Sequence, residues 1–138
     1  MVRDEKLEKL RHVPLFSHLG GREIERLGML TDELDVSDGQ VLTQQGASGS
    51  EFFVVLDGQV AIEKDGQRVA SMRPGDFLGE IALIDGRPRT ATARAEGRTR
   101  LLVLSRGSFN DLMDEFPSVR GAVLEALAER VRSHESED

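Results

Sequence analysis

The chain has 138 residues, of which 38% are hydrophobic and 31% charged, a balance typical of one soluble domain spanning residues 1–138. Its net charge of −7 argues against general nucleic-acid binding, which needs a basic face. The absence of cysteine excludes disulfides and cysteine-held metals, and every apolar run is too short to span a bilayer. We therefore expect a cytoplasmic protein, and 15 arginines against three lysines favour a GC-rich bacterial source.

The first 30 residues have helical spacing. Leu7 and Leu10 belong to a short amphipathic segment that should end near Pro14. A second apolar set follows at helical spacing, interrupted by Gly20-Gly21. Its members are Leu15, Phe16, Leu19, Ile24, Leu27 and Leu30. The pattern predicts helices within residues 2–30.

From Leu34 onwards, glycines separate short runs rich in β-forming residues. The runs are QVLTQQ, EFFVVL, QVAIEK, QRVASM, ATARAE and RTRLLVLS. Short strands at regular spacing with turn signals are typical of a sandwich or a barrel. Asp65-Gly66 lies between two of the runs and predicts a two-residue hairpin turn. We expect this β unit to occupy residues 34–106.

After Gly107 the helical period returns. A stripe recurs at every fourth position and predicts one long closing helix within residues 107–133. The stripe consists of Val119, Val123, Leu127 and Val131. We interpret it first as core packing, with a dimer seam as the alternative. The predicted fold class is α+β, with N-terminal helices, a compact β unit and a C-terminal helix.

The segment GEIALIDGRPRTATA, residues 79–93, carries groups suited to an anion. Gly79 lets the backbone approach a ligand, and the free N–H groups of a following helical turn attract negative charge. Arg89 offers an always-charged fork that matches phosphate oxygens, and Thr90 adds a hydroxyl. Glu80 suits a sugar hydroxyl. These residues predict a site for a sugar and a phosphate together, while spacing alone leaves open a surface ion pair between Glu80 and Arg89.

Other chemistries lack the residues that they require. A metal-dependent barrel enzyme needs clustered histidines, and the histidines of this chain all lie outside the β region. They are His12, His18 and His134. The sequence suggests no serine–histidine–acid arrangement and contains no GxxxxGK[ST] phosphate loop. We therefore predict neither a metal nor another cofactor, and we do not expect an enzyme.

GEIALIDGRPRTATA closely resembles the phosphate-binding cassette of cyclic-nucleotide-binding domains. PLFSHLGGREIERL resembles the N-terminal helical segment of those domains, and GSEFFVVLDGQVAI resembles their strand pair. The resemblance extends from about Val13 to Arg132. It implies an eight-stranded, jelly-roll-like β-roll flanked by N-terminal helices, with the long C-terminal helix as a lid over the base.

The resemblance also implies roles for individual residues. Glu80 would bind the ribose 2′-OH, and Arg89 would bind the cyclic phosphate with help from Thr90. Further ligand-binding positions of the matched cassette are Gly79, Ile81, Ala82, Pro88 and Ala91. The position of Thr90 resembles both the threonine that favours guanine in cyclic-GMP-dependent kinases and a serine of bacterial cAMP-responsive activators. The ligand is therefore cAMP or cGMP, and the bacterial-like composition favours cAMP.

Three functional hypotheses follow from these observations. The first is a cyclic-nucleotide receptor for signal transduction, acting through movement of the C-terminal helix. The second is a structural or interaction module that keeps the fold without binding a nucleotide, and the third is a barrel-type enzyme. We find no basic recognition helix for direct DNA binding and expect no membrane association. The candidate partners are an effector protein in trans and a second copy bound through the C-terminal helix.

Overall fold

The computed structural model describes residues 2–13, 16–17, 19–79, 88–121, 124–125 and 128. Helices α1 (Val2–Arg11) and α2 (Gly21–Leu30) come first, and helix α3 (Arg106–Glu115) follows the strands. The strands are β1 (Asp32–Val36), β2 (Val41–Thr43), β3 (Glu51–Lys64), β4 (Gln67–Met72), β5 (Phe77–Leu78) and β6 (Thr92–Ser105). Among these described residues, no helix is long and apolar enough to cross a membrane.

The six strands of the described residues form one antiparallel sheet in which β3 and β6 are central. The strand order is β1-β6-β3-β4, and β2 also pairs with β6 while β5 pairs with β3. The β3–β6 ladder extends from the Glu51–Ser105 pair to the Glu63–Thr92 pair. The predicted α+β architecture, an antiparallel sheet flanked by helices, is therefore confirmed.

The β3–β6 pair is apolar on both faces, because successive side chains along a strand point to opposite sides. One face joins the helices in a cluster that includes Phe52, Val54, Leu56, Leu102, Leu104, Phe16, Ile24, Leu27, Phe109 and Leu112. The other face forms a second cluster with Phe53, Val55, Leu101, Val36, Val60, Met72, Ala93 and Ala95. Strand alternation thus divides the core into a helix-facing cluster and a sheet cluster.

Two glycines that the sequence analysis treats as strand boundaries lie inside strands. Gly58 of β3 has φ 94° and Gly97 of β6 has φ 74°, and the β3–β6 register shifts beside Asp57. A residue with positive φ at a register shift marks a β-bulge, which bends a strand without ending it. EFFVVL and QVAIEK therefore form one strand, as do ATARAE and RTRLLVLS. The described residues contain six strands where eight were expected.

The predicted hairpin turn at Asp65-Gly66 is confirmed. Both residues have positive φ, 53° and 80°, and Lys64 pairs with Gln67 across the turn. Positive φ at both central residues defines the type I′ turn that best matches the twist of a two-residue hairpin. The turn therefore fixes the register between β3 and β4.

The predicted long closing helix is interrupted. Helix α3 ends at Glu115, Phe116 is extended at φ −129° and ψ 90°, and residues 117–121 are helical again. Pro117 explains the break, because the residue before a proline is disfavoured in the helical conformation whereas proline is favoured in a first helical turn. Val119 of the predicted stripe is buried in the helix-facing cluster. Its other members, Val123, Leu127 and Val131, lie outside the described residues.

Candidate anion-binding site

The main chain of Arg89 is fixed by the loop that follows β2. The N–H of Arg89 donates to the carbonyl of Ala47 at 2.9 Å, and its carbonyl accepts from the N–H of Gly46 at 2.8 Å. Close by, Thr43 Oγ1 donates to the carbonyl of Ala91 at 3.1 Å. These hydrogen bonds hold the start of β6 and the residues before it against residues 43–47.

The guanidinium of Arg89 lies against the backbone of two further segments. Its Nη2 donates to the carbonyl of Glu51 at 2.7 Å. A Cβ atom built on Gly49 would lie 2.8 Å from Arg89 Nη2, and one built on Gly79 would lie 2.7 Å from Arg89 Nη1. Real Cβ atoms essentially never approach so closely. The guanidinium can therefore occupy this position only because both neighbours are glycines.

The two glycines are required for different reasons. Gly79 has φ 85°, in the left-handed region that favours glycine, and a Cβ atom there would also lie 2.6 Å from the Glu51 carbonyl oxygen. Gly49 is not among the residues with positive φ. At Gly49 the requirement is therefore for space beside Arg89, and not for an unusual backbone conformation.

Arg89 is a partly desolvated cation. Burial lowers the pKa of Arg89 from its ordinary value, Glu51 opposes this by its negative charge, and Arg106 adds to it by its positive charge. An arginine side chain nevertheless stays protonated in a protein. Because partial desolvation weakens screening by water, a cation in this place attracts an anion more strongly than one on the open surface.

The structure brings together two of the predicted site residues, Gly79 and Arg89. The adjacent Pro88 and Thr90 are exposed, and Ala91 is half-buried and contributes its carbonyl to the scaffold. The other predicted site residues, Glu80, Ile81 and Ala82, lie outside the described residues. The alternative ion pair between Glu80 and Arg89 requires Glu80, so it lies outside the described residues as well.

Gly49 and the carbonyl of Glu51 were not predicted from the sequence. Glu51 lies 38 positions before Arg89 in the chain, and its contact uses a backbone atom that every residue possesses. The available signal was Gly49 itself, two residues before a strong β run. A glycine before a strand is typical of many turns, however, so nothing in the residue pattern places this one beside an arginine.

Comparisons with known proteins point to one family. The family model of the cyclic nucleotide-binding domain matches residues 33–116. The chain is 31% identical over 121 residues to a cAMP-dependent protein kinase regulatory subunit of Dictyostelium discoideum. That alignment covers 80% of this chain and 37% of the relative, so the chain spans little more than a third of the relative's length.

Solved structures are similar over nearly the whole chain. The N-terminal domain of a transcriptional regulator from Streptomyces coelicolor has a TM-score of 0.85 and 31% identity, with 94% of each chain covered. A cyclic nucleotide-binding domain from Methylobacillus flagellatus has a TM-score of 0.81 and 27% identity, covering 99% of this chain and 79% of the other. These similarities agree with the observed antiparallel sheet and its flanking helices.

We predict that Gly49→Ala displaces the Arg89 guanidinium, because the new methyl group would overlap it. The hydrogen bond to the Glu51 carbonyl should be lost, and the free energy of unfolding should fall by only about 1 kcal/mol because no left-handed φ is involved. Nuclear magnetic resonance of the Arg89 Nε–H group, together with urea unfolding, measures both effects. Gly21→Ala is the control, because nothing lies within 4 Å of a Cβ atom there. An unshifted Arg89 signal in Gly49→Ala would contradict the packing described.

Proposed function

The chain belongs to the cyclic nucleotide-binding domain family, and from this premise we propose that it is a cyclic-nucleotide receptor in which Arg89 binds the cyclic phosphate. The observation that carries the proposal is the placement of the Arg89 guanidinium between Gly49 and Gly79. Its hydrogen bond to the Glu51 carbonyl uses only part of the donor set of a guanidinium. The remaining N–H groups suit a phosphate, which accepts two parallel hydrogen bonds from such a fork.

The other residues of the site are assigned roles by matching their hydrogen-bonding groups to the parts of a cyclic nucleotide. Glu80 binds the ribose 2′-OH, because a carboxylate accepts hydrogen bonds from hydroxyl groups and repels phosphate. The backbone N–H groups of residues 79–82 and the hydroxyl of Thr90 complete the set of donors around the phosphate. The exposure of Thr90 beside Arg89 supports its access to a ligand.

Arg89→Lys tests the phosphate assignment. An ammonium is a point charge and cannot match two phosphate oxygens in one plane, so binding of cAMP should weaken markedly. Removing the charge altogether would cost on the order of 2–5 kcal/mol, or about 30- to 4,000-fold in affinity, and Arg89→Lys should be nearly as costly. Isothermal titration calorimetry on a variant with native circular dichroism measures this loss.

For Glu80→Ala we expect a smaller loss of binding free energy, on the order of 1–3 kcal/mol, measured by the same titration.

Arg98→Lys is the matched control, because Arg98 is an exposed arginine of β6. It should bind cAMP as the parent protein does. If Arg89→Lys binds within about threefold of the parent, the phosphate is held elsewhere and the site assignment is wrong.

We propose cAMP as the preferred ligand, with weaker binding of cGMP. The name of the Dictyostelium relative, a cAMP-dependent regulatory subunit, supports this preference, as does the bacterial-like excess of arginine over lysine. Competitive titration of the two nucleotides should place cAMP first, and Thr90→Ala should lose mainly affinity for cGMP. A preference for cGMP of more than about tenfold would contradict this reading of Thr90.

We further propose that the signal is a movement of the helical residues after Phe116, which an effector protein in trans or a second copy of the chain then detects. These residues dock on α2 through buried Val119 and through polar contacts at the surface. Ser118 Oγ donates to Glu23 at 3.3 Å, and Arg26 pairs with Glu115 at 3.0 Å just before the break. Burial of a valine contributes about 1.5–3 kcal/mol and a hydrogen bond about 1 kcal/mol, so the described contacts after Phe116 are weak enough to respond to a ligand.

Hydrogen exchange measures this movement. Backbone amides of residues 117–132 should exchange more slowly when cAMP is added at saturation, because the bound state favours the docked helix. Amides of residues 52–56 in β3 serve as the internal control and should change little. Unaltered exchange after Phe116 with ligand bound would count against a moving helix.

A further inference from the structure

Gln45 clamps the β3–β4 turn with both ends of its side-chain amide. Its Oε1 accepts a hydrogen bond from the N–H of Asp65 at 2.8 Å, and its Nε2 donates to Oδ1 of Asp65 at 2.9 Å. Asp65 is the first of the two central residues of the type I′ turn and has φ 53°. Because one end of the amide accepts and the other donates, the two hydrogen bonds together fix its orientation.

The main chain around Gln45 is tied to the site on its other side. The N–H of Gln45 donates to Oγ1 of buried Thr92 at 2.9 Å. The next two residues, Gly46 and Ala47, make the two main-chain hydrogen bonds to Arg89 described above. A continuous chain of short hydrogen bonds therefore leads from the β3–β4 turn through residues 45–47 to Arg89.

From these contacts we propose that Gln45 is a positioning residue for Arg89, holding residues 45–47 so that the guanidinium is directed at the phosphate. This inference rests on the proposed function of Arg89. Affinity for the phosphate then depends on the side chain of Gln45, whose own hydrogen bonds are made to the β3–β4 turn.

The two hydrogen bonds between Gln45 and Asp65, here called the clamp, lie in polar surroundings that water can reach. Gln45, Asp65 and Thr92 line a polar groove of about 460 Å³, and Asp65 is exposed. When the amide is removed, water can hydrate the N–H and the carboxylate of Asp65, so no buried polar group is left without a partner. The expected effect is therefore looser positioning of residues 45–47, with little loss of global stability.

The adjacent glutamines provide a matched pair of variants. Gln45→Ala should weaken binding of cAMP about three- to tenfold by titration calorimetry. Gln44→Ala is the control, because Gln44 is exposed and its Nε2 lies 3.5 Å from Thr92 Oγ1, at the limit of a hydrogen bond. It should bind within about twofold of the parent. Equal affinities of Gln45→Ala and the parent would overturn the proposal.

A double-mutant cycle separates positioning from a purely structural role. In the Arg89→Lys background, Gln45→Ala should change affinity less than about twofold, because the group that Gln45 positions is already altered. A full additional loss in that background would overturn the proposal, since Gln45 would then act on another part of the site.

Two further outcomes are distinguished by the same set of proteins. If Arg89→Lys binds as tightly as the parent, the proposed function fails, and the role of Gln45 fails with it. If Arg89→Lys is weakened and Gln45→Ala is not, only the role of Gln45 fails. Should Gln45→Ala not fold, Asp65→Gly removes one of the two clamp contacts with a residue that accepts φ 53°. It should weaken binding in the same direction, and unchanged binding would overturn the clamp.

Discussion

The antiparallel pairing of β3 with β6 is the constraint on which the rest of the structure depends. Its two apolar faces support both hydrophobic clusters, so each cluster is built on the same ladder of hydrogen bonds. At one end of the ladder, Glu51 pairs with Ser105 and offers the carbonyl that binds Arg89. At the other end, Glu63 pairs with Thr92, which accepts a hydrogen bond from Gln45. The carbonyl that binds Arg89 and the hydroxyl that binds Gln45 therefore lie at opposite ends of one strand pair.

Local signals in the sequence were sufficient for some elements of the fold and misleading for others. The Asp65-Gly66 turn was predictable, because a type I′ turn is specified by the two residues that form it. Gly58 and Gly97 were misread as boundaries, since a glycine that ends a strand and one that forms a bulge are identical in sequence. Strand β1, with the sequence DELDV, was missed because four of its five residues are exposed and its pairing with β6 is a tertiary contact. The break at Pro117 was predictable, because the residue before a proline is disfavoured in the helical conformation. It was overlooked because the apolar stripe at every fourth position indicated one uninterrupted helix.

Some residues of the candidate site were likewise predictable from the sequence, and others were not. Gly79 and Arg89 were predicted because an unusual backbone glycine and a forked cation have recognisable residue types within one short segment. Gly49, Glu51 and Gln45 were not predicted, because they lie far from Arg89 along the chain. They come close to Arg89 or its neighbours only in the folded structure. Glu51 contributes a backbone carbonyl, which every residue possesses, and Gly49 contributes the space left by a missing side chain. The side chain of Gln45 resembles any polar loop residue until its two hydrogen bonds to Asp65 are seen.

Among the described residues, Arg89 directs its guanidinium at a backbone carbonyl, and the charge of the chain makes this partner informative. Under the proposed function, a protein with net charge −7 repels a phosphate at long range, so attraction must come from a local cation that keeps its charge. A directly paired carboxylate would orient the guanidinium, but it would also cancel the charge that the phosphate needs. The Glu51 carbonyl is a dipole and orients the same group without neutralising it. Gly49 and Gly79 then bring the backbone close enough for partial desolvation, which strengthens the field of the cation at the position of an anion.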